Sequence, residues 1–253
     1  MIRYFALAWD ETTEATPRMV RERISDLLPA YWSCFCQPGL NVWLHTAEID
    51  RYSMPLQNHG GVILGQIFSR GDPCTPATDR CGGAFSANIA RTQGRNLIDE
   101  YWGSYVAFLY SVSSRSSTVF RSPLSSVPCF QSRVGGLHVF YSSVEDFSSL
   151  HLMRLTIDWD LVAAQASNGD YLTSCTGIKE ISEVQAGDAV SIESRGCSTS
   201  RYWDPREISR RPQIQDFETA SRRLREATQE SIDGWASRYP SAMLLLSGGL
   251  DSS

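Results

Sequence analysis

The chain has 253 residues, which is enough for one large domain or two smaller ones with a substantial core. Its 23 Lys and Arg residues and 28 Asp and Glu residues give a formal net charge of −5, which argues against a non-specific nucleic-acid binder. No apolar run approaches the ~20 residues of a membrane span, and the short apolar N-terminus lacks the pattern of a signal peptide, so we expect a cytoplasmic protein.

The first two hundred residues predict a mostly β domain. Residues 2–9 are typical of a buried strand, and after Pro17 a helical pattern places Val20, Ile24, Leu27 and Leu28 on one face. Further strands are predicted at 40–45, 61–68, 105–111, 117–120 and 138–141, with turn-rich sequence at 69–73 and 82–83. A helical turn at 96–101 before a corner at 102–104, a short helix at 159–166 and two strands around 187–188 complete this part.

The seven cysteines predict reduced thiols that act as small hydrophobic residues. Their number is odd, and their scattered spacing does not match common zinc sites. They are Cys34, Cys36, Cys74, Cys81, Cys129, Cys175 and Cys197.

A domain boundary is predicted at the Tyr-Trp-Asp-Pro segment, 202–205, and is followed by an amphipathic helix of about five to six turns. The apolar residues at helical spacing are Phe217, Ala220, Leu224, Ala227, Ile232 and Trp235. A strand at 243–246 follows, which is the opening of an α/β nucleotide-binding domain. Too few residues remain to cover both faces of a parallel sheet, so we expect this chain to be a fragment.

The most specific motif comes directly after that strand. It consists of Ser247, Gly248, Gly249, Leu250, Asp251, Ser252 and Ser253. Small residues after a buried strand let backbone N–H groups converge on an anion, and Asp251 can hold a divalent cation on the same phosphates. The motif is not the common P-loop, and it resembles the pyrophosphate loop of the ATP pyrophosphatases. The alternative is a glycine-rich turn that caps a helix.

The order of features along the whole chain resembles the asparagine synthetase family. Besides the boundary, the helix and the loop, five weaker matches keep the family's order. They are Trp-Gly-Ser-Tyr-Val-Ala-Phe at 102–108, Phe-Arg-Ser-Pro at 120–123, Val-Pro-Cys-Phe at 127–130, Phe-Tyr-Ser-Ser at 140–143, and Gly-Ile-Lys-Glu-Ile at 177–181 with Ala-Gly-Asp at 186–188. Two of these depart from the family, with Ser122 where Asp is usual and Ser143 where Glu is usual.

The resemblance implies an α+β protein with two domains. Residues 1–204 would form a degenerate glutamine-amidotransferase-like domain, an αββα sandwich of the N-terminal-nucleophile (Ntn) type. Residues 205–253 would form the linker, helix, first strand and pyrophosphate loop of a truncated α/β ATP-pyrophosphatase domain.

The departures imply that the glutaminase is inactive. Family members that hydrolyse glutamine have Cys directly after the initiator Met, and Ile2 stands there in this chain. The family's Asn-Gly pair, which supplies an oxyanion donor, corresponds to Leu64-Gly65, and a leucine side chain cannot donate a hydrogen bond. The alternative is that Cys34 or Cys36 replaces the nucleophile.

The resemblance also implies a function. An ATP-dependent ligase would activate a carboxylate as acyl-AMP and release pyrophosphate, with ATP bound by residues 247–253 and Mg²⁺ held partly by Asp251. Without a glutaminase the amine must come from elsewhere, and the pattern is most similar to lasso-peptide cyclases and β-lactam synthetases.

The expected partners are a precursor peptide as substrate, with a leader-binding protein and a leader peptidase, and without nucleic acid. A Lys and a Glu that the family places later in its synthetase domain are not in this chain, so we expect it to be inactive alone. Two alternatives stay open: an asparagine synthetase that uses ammonia, and a non-catalytic peptide-binding scaffold.

Overall fold

The fold is built from antiparallel strands with helices on the outside. The computed structural model describes residues 2–10, 15–27, 29–45, 52–72, 82–167, 173–194, 196–211, 214, 216–241, 243 and 249. The strands are β1 Tyr4–Ala8, β2 Tyr31–Gln37, β3 Leu40–His45, β4 Ser53–Leu56, β5 Gly61–Ser69, β6 Tyr101–Ser111, β7 Ser116–Arg121, β8 Phe130–Val134, β9 Leu137–Tyr141, β10 Ser182–Glu183, β11 Asp188–Glu193 and β12 Gly196–Arg201. The helices are α1 Ala15–Leu27, α2 Gly83–Thr92, α3 Asn96–Asp99, α4 Val144–Ser149, α5 Trp159–Ser167, α6 Pro205–Ser209 and α7 Phe217–Ala236, with a 3₁₀ turn at Gln57–His59.

The described strands form two six-stranded sheets. The first sheet has the order β10-β8-β9-β1-β3-β2, and the second has the order β12-β11-β7-β6-β5-β4. Neighbouring strands in both sheets pair antiparallel, for example Tyr4 opposite Leu44 between β1 and β3. The two sheets confirm the predicted two-sheet sandwich.

Three buried clusters show that the molecule has four layers. Between the sheets, Tyr4, Leu64 and Phe108 belong to one cluster. On the outer face of the first sheet, residues of β1 pack with those of α1 and α4, and on the outer face of the second sheet, residues of β5 pack with those of α2 and α3. All five residues of β1 are buried, because one face of the strand points between the sheets and the other towards the helices. The predicted αββα arrangement is therefore confirmed.

Two glycines let β5 and β6 approach closely. Gly65 has φ 129°, and a Cβ there would lie 2.3 Å from the backbone oxygen of Ser104. Gly103 has φ 133°, and a Cβ there would lie 2.3 Å from the backbone oxygen of Gln66. Side chains are strongly disfavoured at such positions, so both glycines have a steric reason independent of any catalytic role.

Several predicted boundaries are wrong around these strands. The predicted corner at 102–104 lies inside β6, which begins at Tyr101, and only Asn96–Asp99 of the predicted turn is helical. The pair Gly82-Gly83 begins α2 rather than a turn, because Gly82 is the extended N-cap residue and the helix buries Phe85 and Ile89.

The long C-terminal helix is confirmed as α7, and the sandwich contacts it near its C-terminal end. The Trp235 ring lies edge-on to the Phe68 ring at a centroid distance of 5.1 Å, and the backbone N–H of Gly71 donates to Glu230 at 2.8 Å. The predicted apolar face is otherwise open, since Phe217 is 82% exposed and Leu224 is 70% exposed. Of the strand predicted at 243–246, only Met243 lies among the described residues.

No helix in the described part of the chain is long and apolar enough to cross a membrane.

Candidate functional site

The predicted ATP loop lies almost entirely outside the described residues. Of residues 247–253, only Gly249 is described, and it is exposed. Leu28, Cys74 and Cys81 are also outside them. The loop, and with it Asp251 as a metal ligand, therefore stays a prediction from the sequence.

The other predicted site residue, Ile2, borders a cleft at one end of the sandwich. Ile2 lies two residues before the first residue of β1, is half-buried and packs against the inter-sheet cluster. The cleft has a volume of about 260 Å³, and segments of both sheets and of the C-terminal region meet there. Its lining residues are Ile2, Leu44, His45, Tyr52, Gln66, Ser104, Ser126, Val127, Trp235 and Tyr239. The position predicted to have lost the nucleophile is thus at a real cavity.

Leu64 is fully buried between the sheets and does not line the cleft. Its side chain packs with Val62 and Phe108 as an ordinary core residue. It therefore offers the cleft neither a polar atom nor a hydrogen-bond donor.

The two cysteines considered as replacement nucleophiles are poorly suited to that role. Burial raises the pKa of the Cys34 thiol to about 12, and the Cys34 Sγ donates to the backbone oxygen of Val42 at 3.5 Å. A thiol with such a pKa is protonated at neutral pH, whereas the thiolate is the nucleophile. Cys36 is exposed and lines a different cavity together with Trp9, at the opposite end of β1, roughly 20 Å along the strand from Ile2.

A pair of serines forms the polar wall of the cleft. The hydroxyl groups of Ser104 and Ser126 lie 2.8 Å apart, and the backbone N–H of Ser126 donates to Ser104 Oγ at 2.9 Å. The loop after β7 is thereby fixed to β6. The sequence does not mark these serines as site residues, because the residues that surround the cleft come from distant segments.

His45, another lining residue, is held by backbone and ring contacts. Its backbone N–H donates to the carbonyl oxygen of Arg3 at 2.8 Å, next to Ile2. Its ring lies edge-on to the Tyr31 ring at a centroid distance of 5.0 Å. Both contacts link the end of β3 to the start of β1 and so fix the position of Ile2 at the cleft.

An ionic contact anchors the chain just after Ile2. The Arg3 guanidinium binds both carboxylate oxygens of Asp146, with Nε at 2.8 Å from Oδ2, and the Tyr31 hydroxyl donates to the same Oδ2 at 2.5 Å. Burial would raise the pKa of Asp146, but the hydrogen bonds from Arg3 and Tyr31 outweigh it and hold that pKa below its usual value. Burial and the Asp146 carboxylate raise the pKa of Tyr31, so this group stays a hydrogen-bond donor at neutral pH.

The C-terminal region supplies one wall of the cleft through Trp235 and Tyr239. Trp235 and Ser104 also line a neighbouring cavity of about 330 Å³ that includes Arg70, Trp102 and Trp203. The two cavities are therefore adjacent, and the end of α7 lies between them.

No group of three or more His, Cys, Asp or Glu side chains within the described ranges is arranged to hold a metal ion. The five described cysteines, Cys34, Cys36, Cys129, Cys175 and Cys197, are free thiols.

Comparison with known proteins gives only distant structural likeness. No protein-family model matches the chain, and neither does any curated protein. A solved structure described as the allosteric regulatory enzyme of purine biosynthesis is similar at 11% identity, covering 79% of this chain and 49% of that one, with a TM-score of 0.44. The glutamine phosphoribosylpyrophosphate amidotransferase from B. subtilis, complexed with ADP and GMP, is similar at 12% identity with the same coverage and a TM-score of 0.48.

This chain spans about half the length of both structures. Likeness at these levels does not establish a family. The four-layer architecture and the cleft beside Ile2 are properties of this chain itself.

Proposed function

We propose that the protein is an ATP-dependent ligase that forms amide bonds and has no glutaminase activity. The observation that carries the proposal is the Ser-Gly-Gly-Leu-Asp-Ser-Ser motif at 247–253, which has the residue types of a pyrophosphate-binding loop. The absence of glutaminase is supported by Ile2 at the cleft and by Leu64 in the core. The residues that would hold ATP are 247–253, and Asp251 would hold Mg²⁺, which neutralises charge on the phosphates.

The proposed chemistry solves the problem that a carboxylate is a poor electrophile. A carboxylate oxygen attacks the α-phosphorus of ATP, the bond to the β-phosphate oxygen breaks, and pyrophosphate leaves. An amine nitrogen then attacks the carbonyl carbon of the acyl-AMP, AMP leaves with the electron pair of the broken bond, and the nitrogen loses a proton. Backbone N–H groups and hydroxyl groups of the loop would stabilise the charge on the departing pyrophosphate.

The source of the amine separates the candidate substrates. Since the cleft offers no cysteine nucleophile at Ile2, ammonia from glutamine is not expected inside this domain. An amine of the substrate itself fits this loss, as in the cyclisation of a precursor peptide through the side chain of Asp or Glu. We therefore propose a peptide macrocyclase of the lasso type as the specific activity, with free ammonia and aspartate as the alternative substrates.

The test is pyrophosphate exchange into ATP in the complete natural gene product. We expect exchange that depends on a peptide carboxylate, and Asp251→Ala should lower it at least about 100-fold, because a metal ligand is lost where leaving-group charge develops. Asp160→Ala, which removes an exposed carboxylate on α5, is the matched control and should leave exchange unchanged.

The outcomes separate the alternatives. Exchange that depends on free aspartate would indicate an asparagine synthetase that uses ammonia. Peptide binding without any exchange would indicate a scaffold. Exchange that persists in Asp251→Ala would mean that the motif is a turn and would overturn the proposal.

A further inference from the structure

The described lining of the cleft beside Ile2 is uncharged and rich in aromatic side chains. No Asp, Glu, Lys or Arg lines it among the described residues. The lining includes three aromatic side chains, Tyr52, Trp235 and Tyr239, and three aliphatic ones, Ile2, Leu44 and Val127. The remaining lining residues, His45, Gln66, Ser104 and Ser126, can exchange hydrogen bonds. Such a mixture suits a group with an apolar body and a polar edge.

The size of the cleft suits a single side chain. Its volume of about 260 Å³ lies below the range of roughly 300–1,000 Å³ that is typical of pockets for drug-sized ligands. A ring can stack or lie edge-on against the aromatic walls, while a hydroxyl, indole N–H or amide at its edge meets the serine pair. A phenol or indole group satisfies both requirements.

The described lining carries no charged side chain, and this decides which kind of molecule carries the ring. A free amino acid, including glutamine, brings an ammonium and a carboxylate close to its side chain, and neither would find a charged partner on the described lining. Burying such charges without partners is costly. An internal residue of a peptide has neither charge, because both groups are in amide bonds.

We propose that this cleft binds an uncharged aromatic side chain, of the tyrosine or tryptophan type, from a peptide. The inference deepens the proposed function, on which it rests for the peptide substrate. It assigns a role to a cleft where Ile2 offers no nucleophile but other lining residues are polar.

The position of α7 connects this cleft to the rest of the proposed site. Trp235 is in the last turn of the helix, and Tyr239 precedes Ser247 by eight residues. A side chain held between Ser104 and Trp235 therefore contacts the segment that leads into the ATP motif. A peptide anchored in this way is bound by the sandwich domain, while its reacting carboxylate and amine remain free to reach the proposed ATP site.

The test is ligand-observed saturation-transfer NMR on the complete gene product without ATP. The probes are N-acetyl-tyrosinamide, N-acetyl-lysinamide, N-acetyl-glutamic acid amide and free tyrosine. We expect N-acetyl-tyrosinamide to bind with a Kd on the order of 1 mM, and the three charged probes to bind at least about tenfold more weakly.

Three variants locate the binding. Ile2→Trp fills the cleft and should abolish the N-acetyl-tyrosinamide signal, whereas Val112→Trp adds the same ring at an exposed position after β6 and should keep it. Gln66→Glu places a carboxylate in the cleft and should shift the preference towards N-acetyl-lysinamide. The Gln66→Glu result remains informative if Ile2→Trp fails to fold.

Two results would overturn the inference: equal binding of charged and uncharged probes, or binding that neither cleft variant changes. Because ATP is absent, this outcome is independent of pyrophosphate exchange. Pyrophosphate exchange with peptide but no binding of the probes would contradict the inference and leave the proposed function standing. Binding of the probes without pyrophosphate exchange would support the inference about the cleft and contradict the proposed function.

Discussion

The sandwich and helix α7 differ in how they are held. In the sandwich, both faces of strands such as β1 are covered, and Phe108 is completely buried between the sheets. In α7, Leu224 and Phe217 are mostly exposed, and the contacts with the sandwich concentrate around Trp235 and Glu230. Burial of apolar surface is the main source of stability, so the sandwich is expected to be the cooperative unit and α7 an attached element.

The two regions also have different proposed roles. The well-packed domain contains the cleft that Ile2 lines, while the proposed chemistry belongs to the loop that follows the weakly attached helix. The described contacts at Trp235 are where the two regions meet.

The largest expected effect comes from the inter-sheet core. Phe108→Ala should lower the free energy of unfolding by about 3–5 kcal/mol, because it removes a buried ring and leaves a cavity. Leu224→Ala, also a large-to-small change but on α7, should change it by less than about 0.5 kcal/mol. Urea unfolding of both variants measures this, and comparable losses would contradict the distinction between the regions.

A smaller effect is expected at the anchor after Ile2. Asp146→Asn should cost about 1–3 kcal/mol at neutral pH, because hydrogen bonds from Arg3 and Tyr31 to a buried carboxylate are weakened. The folded-state pKa of Asp146 is lowered, so its contribution is fully present above the unfolded pKa of about 4 and is lost as the pH falls through the folded pKa.

Unfolding curves between neutral and acidic pH measure that effect. The gap in unfolding free energy between wild type and Asp146→Asn should narrow as the pH falls below about 4. A gap that stays constant with pH would show that the charge of Asp146 does not stabilise the fold.

The smallest expected effect on the whole molecule comes from Trp235→Ala. Loss of the ring contacts with Phe68 and Trp102 should lower the free energy of local opening of α7 by about 1–2 kcal/mol and leave the sandwich unaffected. Hydrogen exchange of residues 217–236 measures it, with Ile232→Ala, exposed on the same helix, as the control. Increased protease cleavage at 205–215 should accompany it, and equal loss of protection in the sandwich would show a single cooperative unit.

Much of the fold could be predicted from local patterns, and the exceptions have physical causes. Strand β1 is apolar at every position, and α7 has a long helical period, so both were predictable. Strand β2 was not, because it is an edge strand with exposed residues and a register shift between Ser33 and Phe35, which interrupts the alternation of a regular strand. Helix α2 was missed because Gly82 resembles a turn residue where it is an N-cap.

The candidate site was only partly predictable. Ile2 could be identified because the sequence resembles the asparagine synthetase family, and the structure places this residue at a cleft. The serine pair, His45 and Trp235 could not, because they come from separate strands, a loop and a helix that only the tertiary fold brings together. No local pattern marks such residues, since the spacing between them has no period.

Glutamate release from glutamine by the complete gene product decides whether this sandwich hydrolyses glutamine. We expect no enzyme-dependent release, because Ile2 provides no nucleophile at the cleft, Leu64 is buried in the core, and burial keeps the Cys34 thiol protonated. Release at ordinary enzyme rates, about 1 s⁻¹ or faster, would contradict this expectation.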